Sequence, residues 1–388
     1  MNRKRIMFVF GTRPEAIKMA PVVAETEKYP DVLEPVVVVT GQHRQMLDQV
    51  LRIFDMRPDY DLGVMEESQT VANIVSRSLQ GLEEIILREK PDMVLVQGDT
   101  STTFAAALAA FYYRIPIGHV EAGLRTFDKW RPFPEEINRK LTTALADLHF
   151  APTWTSASNL LAEGVPQNSI YLTGNTVIDA LLKVAKRDFD LKKAGIDLKT
   201  SKKTVLVTAH RRESFGQPLK NICAAVSRLA QAHRREVEIV VPVHKNPAVR
   251  STVYEILDNM DNVDLIEPLD YEPFVHLMKK SYIILTDSGG IQEEAPSLGK
   301  PVLVLREKTE RPEAIAAGTV KLVGVSEEVI FEEANRLLVD REVYDRMSRA
   351  VNPYGDGHAA ERILQAILYY FGAVDRKPEE FKVETAKA

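Results

Sequence analysis

Four carboxylates and one imidazole in this chain stand where acid–base chemistry would need them. Asp99 follows the hydrophobic run 93–97 and Glu121 follows 115–120, so the two end consecutive strands and should lie within one crevice. Glu135 and Glu136 follow Trp130-Arg131-Pro132-Phe133-Pro134, a stiff aromatic loop able to carry a carboxylate over that crevice. His210, in Thr208-Ala209-His210-Arg211-Arg212-Glu213, comes from the second half of the chain. Taken singly, Asp99 also fits a helix cap and Glu135 a first-turn charge favoured by the helix dipole. Carboxylates gathered on one rim should push some pKa values upward, as proton transfer near neutral pH requires.

Two strand-to-helix turns are suited to an anion. In Gly11-Thr12-Arg13-Pro14-Glu15, Thr12 fits a cap, Pro14 suits the first helical turn, and Arg13 and Lys18 are charge partners. The alternative there is a tight turn with Arg13 paired to a local carboxylate. Ser288-Gly289-Gly290 follows the run 282–286; its glycines let a ligand approach the backbone, and Glu294, one turn in, is placed to accept from ribose hydroxyls. A close helix–strand contact needing small residues would look the same. Arg311 repeats the Arg-Pro-Glu arrangement of the first turn and adds a cation.

What is missing narrows the chemistry. No G-x-G-x-x-G follows a strand, which argues against a tightly held nicotinamide dinucleotide, and no G-x-x-x-x-G-K-[ST] loop is present. The histidines show neither H-E-x-x-H nor a Cys/His spacing, so no metal is expected. Asp59-Tyr60-Asp61 and Asp188-Phe189-Asp190 have a metal-binding D-x-D form but flank no convincing site.

These residues must be positioned by a repeated strand–helix pattern. Short hydrophobic runs at 6–10, 35–40, 93–97, 115–120, 148–151 and 170–173 alternate with helical segments at 14–29, 43–54, 70–90, 102–113 and 135–146. The runs are continuous rather than alternating, so both faces of the sheet are covered, as in doubly wound α/β folds. The texture turns charged and aperiodic at 186–203, a junction or a surface excursion just after one. The pattern then restarts, with runs at 204–208, 238–242, 263–267, 282–286, 301–305 and 320–323. A helix is expected over 357–371 and a charged, frayed tail from Asp375. In such sheets ligands bind at the carboxyl ends of the strands, where nearly all the reactive clusters of this chain fall.

At 388 residues the chain is long enough for two domains. A net charge of −5 argues against a nucleic-acid protein, and no apolar stretch approaches a membrane span. The single cysteine, Cys223, sits among apolar residues and reads as core; one cysteine leaves no internal disulfide framework and fits a reducing cytoplasm.

Ten segments in order resemble the non-hydrolysing UDP-N-acetylglucosamine 2-epimerases of bacteria over nearly the whole chain. They lie at 9–21, 98–100, 118–126, 134–139, 173–180, 210–216, 242–247, 286–301, 309–314 and 352–357; any one is modest evidence, and ten in the same order are specific. The resemblance implies the GT-B fold, two Rossmann-like parallel-sheet domains facing across a cleft. The boundaries would be 1–175, joined by a C-terminal helix in 358–388, and 176–357. It implies interconversion of UDP-GlcNAc and UDP-ManNAc, usually by a homodimer, without a cofactor. Carried over by position, Arg13, Lys18, Ser288, Gly289, Gly290, Glu294 and Arg311 would contact UDP, and the backbone near Leu269 and Phe274 would flank uracil. Some members carry a polar residue where this chain has Leu269. Asp99, Glu121, Glu135 and His210 match the residues held responsible for catalysis or for seating the sugar diphosphate. Gln42, His43, Gln45 and His244 match a second, activating UDP-GlcNAc site of many bacterial members.

The chemistry is consistent with that residue set. The hydrogen on C2 of the sugar is not acidic. Without a dinucleotide to oxidise a neighbouring hydroxyl, the remaining route is loss of UDP from C1, anti elimination to 2-acetamidoglucal, and syn re-addition. Asp99 and Glu135 are expected to move protons and Glu121 to hold sugar hydroxyls and positive charge. A hydrolysing epimerase, a GT-B glycosyltransferase or a sugar-nucleotide sensor would share the nucleotide site.

Overall fold

The computed structural model describes residues 3–41, 44–64, 70–199 and 201–383, and the chain divides into two compact units. One is the chain up to Ala180 together with Tyr354–Lys382; the other is Leu181–Pro353.

The first unit is built on a seven-stranded parallel sheet of order β3-β2-β1-β4-β5-β6-β7. The strands are β1 (Lys4–Phe10), β2 (Leu33–Val39), β3 (Tyr60–Asp61), β4 (Met93–Gln97), β5 (Ile117–Val120), β6 (Leu148–Ala151) and β7 (Ile170–Leu172). Their crossovers carry α1 (Arg13–Thr26), α2 (Arg44–Ile53), α3 (Val71–Glu89), α4 (Ser101–Tyr112), α5 (Glu135–Leu145) and α6 (Trp154–Ala162). The continuous apolar strands are buried on both faces, Ile6 through Phe10 completely. Because β1 pairs with both β2 and β4, the strand order reverses there. The loops after β1 and β4 therefore diverge and open a crevice at their carboxyl ends.

The second unit repeats the plan with six strands, ordered β10-β9-β8-β11-β12-β13. These are β8 (Lys203–Thr208), β9 (Val237–Pro242), β10 (Val263–Ile266), β11 (Ile283–Thr286), β12 (Val302–Val304) and β13 (Val320–Leu322). Helix α7 (Thr176–Ala185) spans the division of the chain; α8 (Gln217–Ala232), α9 (Pro247–Leu257), α10 (Tyr271–Lys280), α11 (Gly289–Ser297), α12 (Pro312–Ala316), α13 (Glu327–Val339) and α14 (Arg341–Ser348) follow. The reversal falls between β8 and β11, so His210 and Ser288 leave adjacent strands at one edge. Cys223 lies in this core, where burial pushes its thiol up to about 12 and makes it unreactive.

Helix α15 (Ala359–Tyr370) returns to the first unit and packs on α1. Beyond it the expected frayed tail does not occur as far as Val383: the Phe381 side chain is buried and its N–H donates to Leu172 O at 2.8 Å. The first D-x-D motif is structural. Tyr60 and Asp61 form the edge strand β3, while Asp59 accepts from Val37 N and Asp61 from Gly63 N. In the second, Asp190 caps a short helical turn. Among the described residues no helix is long and apolar enough to cross a membrane, and no cluster of three His, Cys, Asp or Glu is placed to hold a metal.

Asp179 joins α7 to the start of α15, accepting from Ala359 N at 3.2 Å and Ala360 N at 2.8 Å. Burial raises its carboxyl to about 6, against hydrogen bonds that lower it. Below the unfolded value both states hold the proton, and above about 6 both release it. Between them the folded state keeps a proton that the unfolded chain has lost, so stability falls as pH rises through this window. Chemical denaturation from pH 3.5 to 7 should show a loss on the order of 1–3 kcal/mol that Asp179→Asn abolishes.

Candidate functional site

In the first unit the site is organised around Glu121. It follows β5 in a left-handed conformation, φ 62°, which a side chain adopts only where its surroundings hold it. The carboxylate is buried and takes Lys18 Nζ on both oxygens, at 2.7 and 2.6 Å. Asn175 Nδ2 donates to Oε1 at 3.0 Å and Gln97 Nε2 donates to Oε2. A carboxylate gripped by an ammonium and two amides is held as an anion. Lys18, expected beside a bound anion, is thus spent on Glu121.

Asp99 follows β4, at the reversal point. Its carboxylate pairs with Arg139 Nη2 from α5, and Asn138 Nδ2 donates to its backbone oxygen at 3.0 Å. Desolvation pushes its carboxyl above the usual aspartate range; Arg139 opposes this and the Glu121 charge adds to it. The side chain is nevertheless 26% exposed, so a ligand can reach it. Its strand-end turn is fixed by His119, whose ring nitrogen Nε2 lies 2.7 Å from Gly98 O; burial drives this ring to about 3, so it is neutral and donates.

Glu135 and Glu136 separate in role. Glu136 is fully buried and accepts from Thr126 N, Phe127 N and Arg139, fastening the aromatic loop to α5. Glu135, one residue earlier on α5, has a buried oxygen, Oε2, with no hydrogen-bond partner among the described residues. An acceptor left without a donor costs free energy unless something fills it.

The α1 turn differs from the expected anion site. The buried Glu15 carboxylate takes Gly11 N at 3.0 Å and Thr12 N at 2.7 Å, and its other oxygen accepts from Thr100 and Thr103. The helix N-terminus carries its own anion, and burial raises the Glu15 pKa. Arg13, half-exposed, makes no ion pair among the described residues and remains available as a cation.

In the second unit, Ser288 is the N-cap of α11 and Gly289 begins it. A Cβ built on Gly289 would lie 3.6 Å from Arg211 Nη2 and 4.0 Å from Arg311 Nη2, so two guanidinium groups converge on this turn. Arg311 is oriented by Glu293; Arg211 makes no ion pair among the described residues. A helix N-terminus flanked by two arginines suits a diphosphate. Glu294 is buried on the same helix and accepts from Tyr271 OH at 3.3 Å. Leu269 and Phe274 flank the start of α10, both half-buried.

His210 stacks on His244, with ring centroids 5.5 Å apart and 12° between planes. Burial lowers the His210 pKa, Asp287 raises it and His244 lowers it further. Gln42 and His43 lie outside the described residues, and Gln45 falls on α2. Sequence reasoning quoted Asp99, Glu121 and His210 but gave no role to Gln97, Arg139, Asn175, Arg211 or Asp287. Arg211 was within reach, as the cation next to His210. The others act through contacts that only the fold creates.

Two doubly wound sheets, each with polar side chains at its reversal point, define a GT-B protein. The sequence family described as UDP-N-acetylglucosamine 2-epimerase matches residues 25–368, and the chain belongs to it. It is 52% identical over 384 residues to the UDP-N-acetylglucosamine 2-epimerase of Bacillus subtilis, covering 98% of this chain and 99% of that one. It is 56% identical over 370 residues to that of Escherichia coli, covering 94% and 98%. The crystal structure of UDP-GlcNAc 2-epimerase from Neisseria meningitidis bound to UDP-GlcNAc is similar at TM-score 0.83 and 49% identity, over 94% of this chain and all of that one.

Arg139, more than Lys18, restrains the rise at Asp99. Arg139→Gln should push the Asp99 carboxyl further upward, so that the limb of the kcat/KM profile that Asp99 sets, acidic if it is the base and basic if it is the acid, moves to higher pH. An unmoved limb in a folded variant would assign that limb to another group.

Proposed function

We propose that this chain is the non-hydrolysing type of UDP-N-acetylglucosamine 2-epimerase, interconverting UDP-GlcNAc and UDP-ManNAc by elimination and re-addition of UDP. The observation that carries the reading is the unequal state of the three carboxylates. Glu121 is a fixed anion, caged by Lys18, Gln97 and Asn175. Asp99 is accessible with a raised pKa, and Glu135 presents an oxygen with no donor among the described residues. Two groups can exchange protons while the third holds charge.

In the forward direction the C1–O bond breaks, its electron pair leaving with the diphosphate. Positive charge grows on C1 and the ring oxygen, acidifying the hydrogen on C2. Glu121 stabilises that charge, and one of Asp99 and Glu135 takes the C2 proton as the C1–C2 double bond forms. UDP then adds back to C1 on its original face, while the other carboxyl group delivers a proton to the opposite face of C2. The electron count closes without an oxidant. The α11 turn with Arg211 and Arg311 stabilises the leaving diphosphate, Arg13 and His210 add donors, Glu294 takes ribose hydroxyls, and the backbone at Leu269 and Phe274 flanks uracil.

Product supply to cell-surface polysaccharide synthesis and action as a homodimer follow from the family likeness. So does a second UDP-GlcNAc as activator, near Gln42, His43, Gln45 and His244. The stacking of His244 on His210 supports the last, since it would let an occupant of one site reach the other.

Proton NMR of UDP-GlcNAc with the protein in heavy water tests the reaction. UDP-ManNAc should appear with deuterium at C2 and without free ManNAc; an unlabelled C2 eliminates the mechanism, and accumulating ManNAc with UDP identifies a hydrolysing enzyme. Asp99→Asn should lower kcat at least about 10²-fold. Near-normal turnover would remove Asp99 from the proton path.

A further inference from the structure

Asp287 follows β11 in the second unit and is completely buried. Its two oxygens do different things. Oδ2 accepts from His210 N at 2.8 Å, Arg211 N at 2.8 Å and Ser214 Oγ at 3.0 Å, gathering the segment that carries His210. Oδ1 has no hydrogen-bond partner among the described residues, and it lies 3.6 Å from His210 Nδ1. A buried carboxylate oxygen without a donor is costly. The imidazole of His210, whose backbone the same carboxylate already holds, is a group able to satisfy it.

We infer that Asp287 is a positioning residue for His210: its Oδ1 takes the Nδ1 proton of the ring, leaving Nε2 to face the diphosphate. This rests on the proposed role of His210. The consequence is specific. With Nδ1 protonated, the neutral ring has a bare Nε2, which accepts but cannot donate. Nε2 donates only when the ring is an imidazolium, so the contact with the leaving group is a charge-assisted hydrogen bond or none. No net proton transfer is required, because Nε2–H remains on the ring through departure and return of UDP. The groups facing the ring are Asp287, His244 and Arg211; burial, His244 and Arg211 all disfavour its charge, and Asp287 alone among these opposes them.

Asp287→Asn separates the two functions of the carboxylate. The amide oxygen can keep the three donors now on Oδ2, and the amide NH₂ then replaces the acceptor facing Nδ1. NMR titration of the His210 ring in the folded variant should show protonation shifted to lower pH, and the basic limb of kcat/KM should move the same way. Turnover above neutral pH should fall at least tenfold. Ser214→Ala removes one donor to the loop-holding oxygen and should leave the limb in place. An unchanged ring titration in Asp287→Asn overturns the inference, as does an equal shift in Ser214→Ala, which would reduce Asp287 to a loop anchor.

The unaltered protein supplies an independent check should Asp287→Asn fail to fold. Ring ¹⁵N shifts should show Nδ1 protonated on both sides of the titration; a neutral form protonated at Nε2 overturns the inference. His210→Gln tests the underlying reading by itself. Full turnover there would discard the role of His210 in the reaction, whereas the ring titration reads the Asp287 contact without any turnover.

Discussion

The pairing of Lys18 with Glu121 is the contact on which the first unit's chemistry depends. Burying an ammonium and a carboxylate costs several kcal/mol in lost hydration, and their attraction offsets this only with good geometry and further hydrogen bonds. Here the geometry is two-pronged, and Gln97 and Asn175 complete the shell. Such a pair is a poor device for stability. It is an effective way to fix a negative charge at one point. That charge reaches Asp99 as well, adding to the effect of burial, while Arg139 and Lys18 hold the rise in check. The proton affinity of Asp99 is set by a balance among neighbours rather than by burial alone.

A second pattern recurs in both units. Buried carboxylates seize the backbone N–H groups of the loops that carry the candidate site residues. Glu15 takes Gly11 and Thr12, Glu136 takes Thr126 and Phe127, and Asp287 takes His210 and Arg211. Loops at the carboxyl edge of a parallel sheet have no ladder to satisfy their backbone. An internal carboxylate accepts two or more N–H groups at once and fixes the loop's course by doing so. The cost is that these N–H groups are no longer open to an external anion, which at α1 leaves Arg13 as the available cation.

Much of this was legible in the chain itself. Continuous apolar runs mark the strands, and the polar clusters after them mark the rims, so Asp99, Glu121, His210 and Ser288 stand out in the sequence alone. The partner of Lys18 does not, because it depends on the left-handed turn at Glu121 and on a contact between residues 103 positions apart that no local pattern encodes. Nothing local singles out Arg139; only the packing of α5 brings it to Asp99. Strand β3 has two residues, too few for any periodicity. In the tail, abundant charge concealed the one aromatic side chain that anchors it.

That anchor has a consequence for how the protein can be handled. Strand β7 is the outer strand of its sheet, and a bare outer strand is a template for pairing with another chain. The 377–383 segment lies along it, with Phe381 buried, its N–H bonded to Leu172, and Lys377 over the rings of Tyr171 and Tyr369. Trimming the chain just after α15 would strip this guard and expose the Leu172 carbonyl and the surface that Phe381 covers. A shortened version would keep every residue discussed for turnover and still be prone to clump, edge to edge, as its concentration rises.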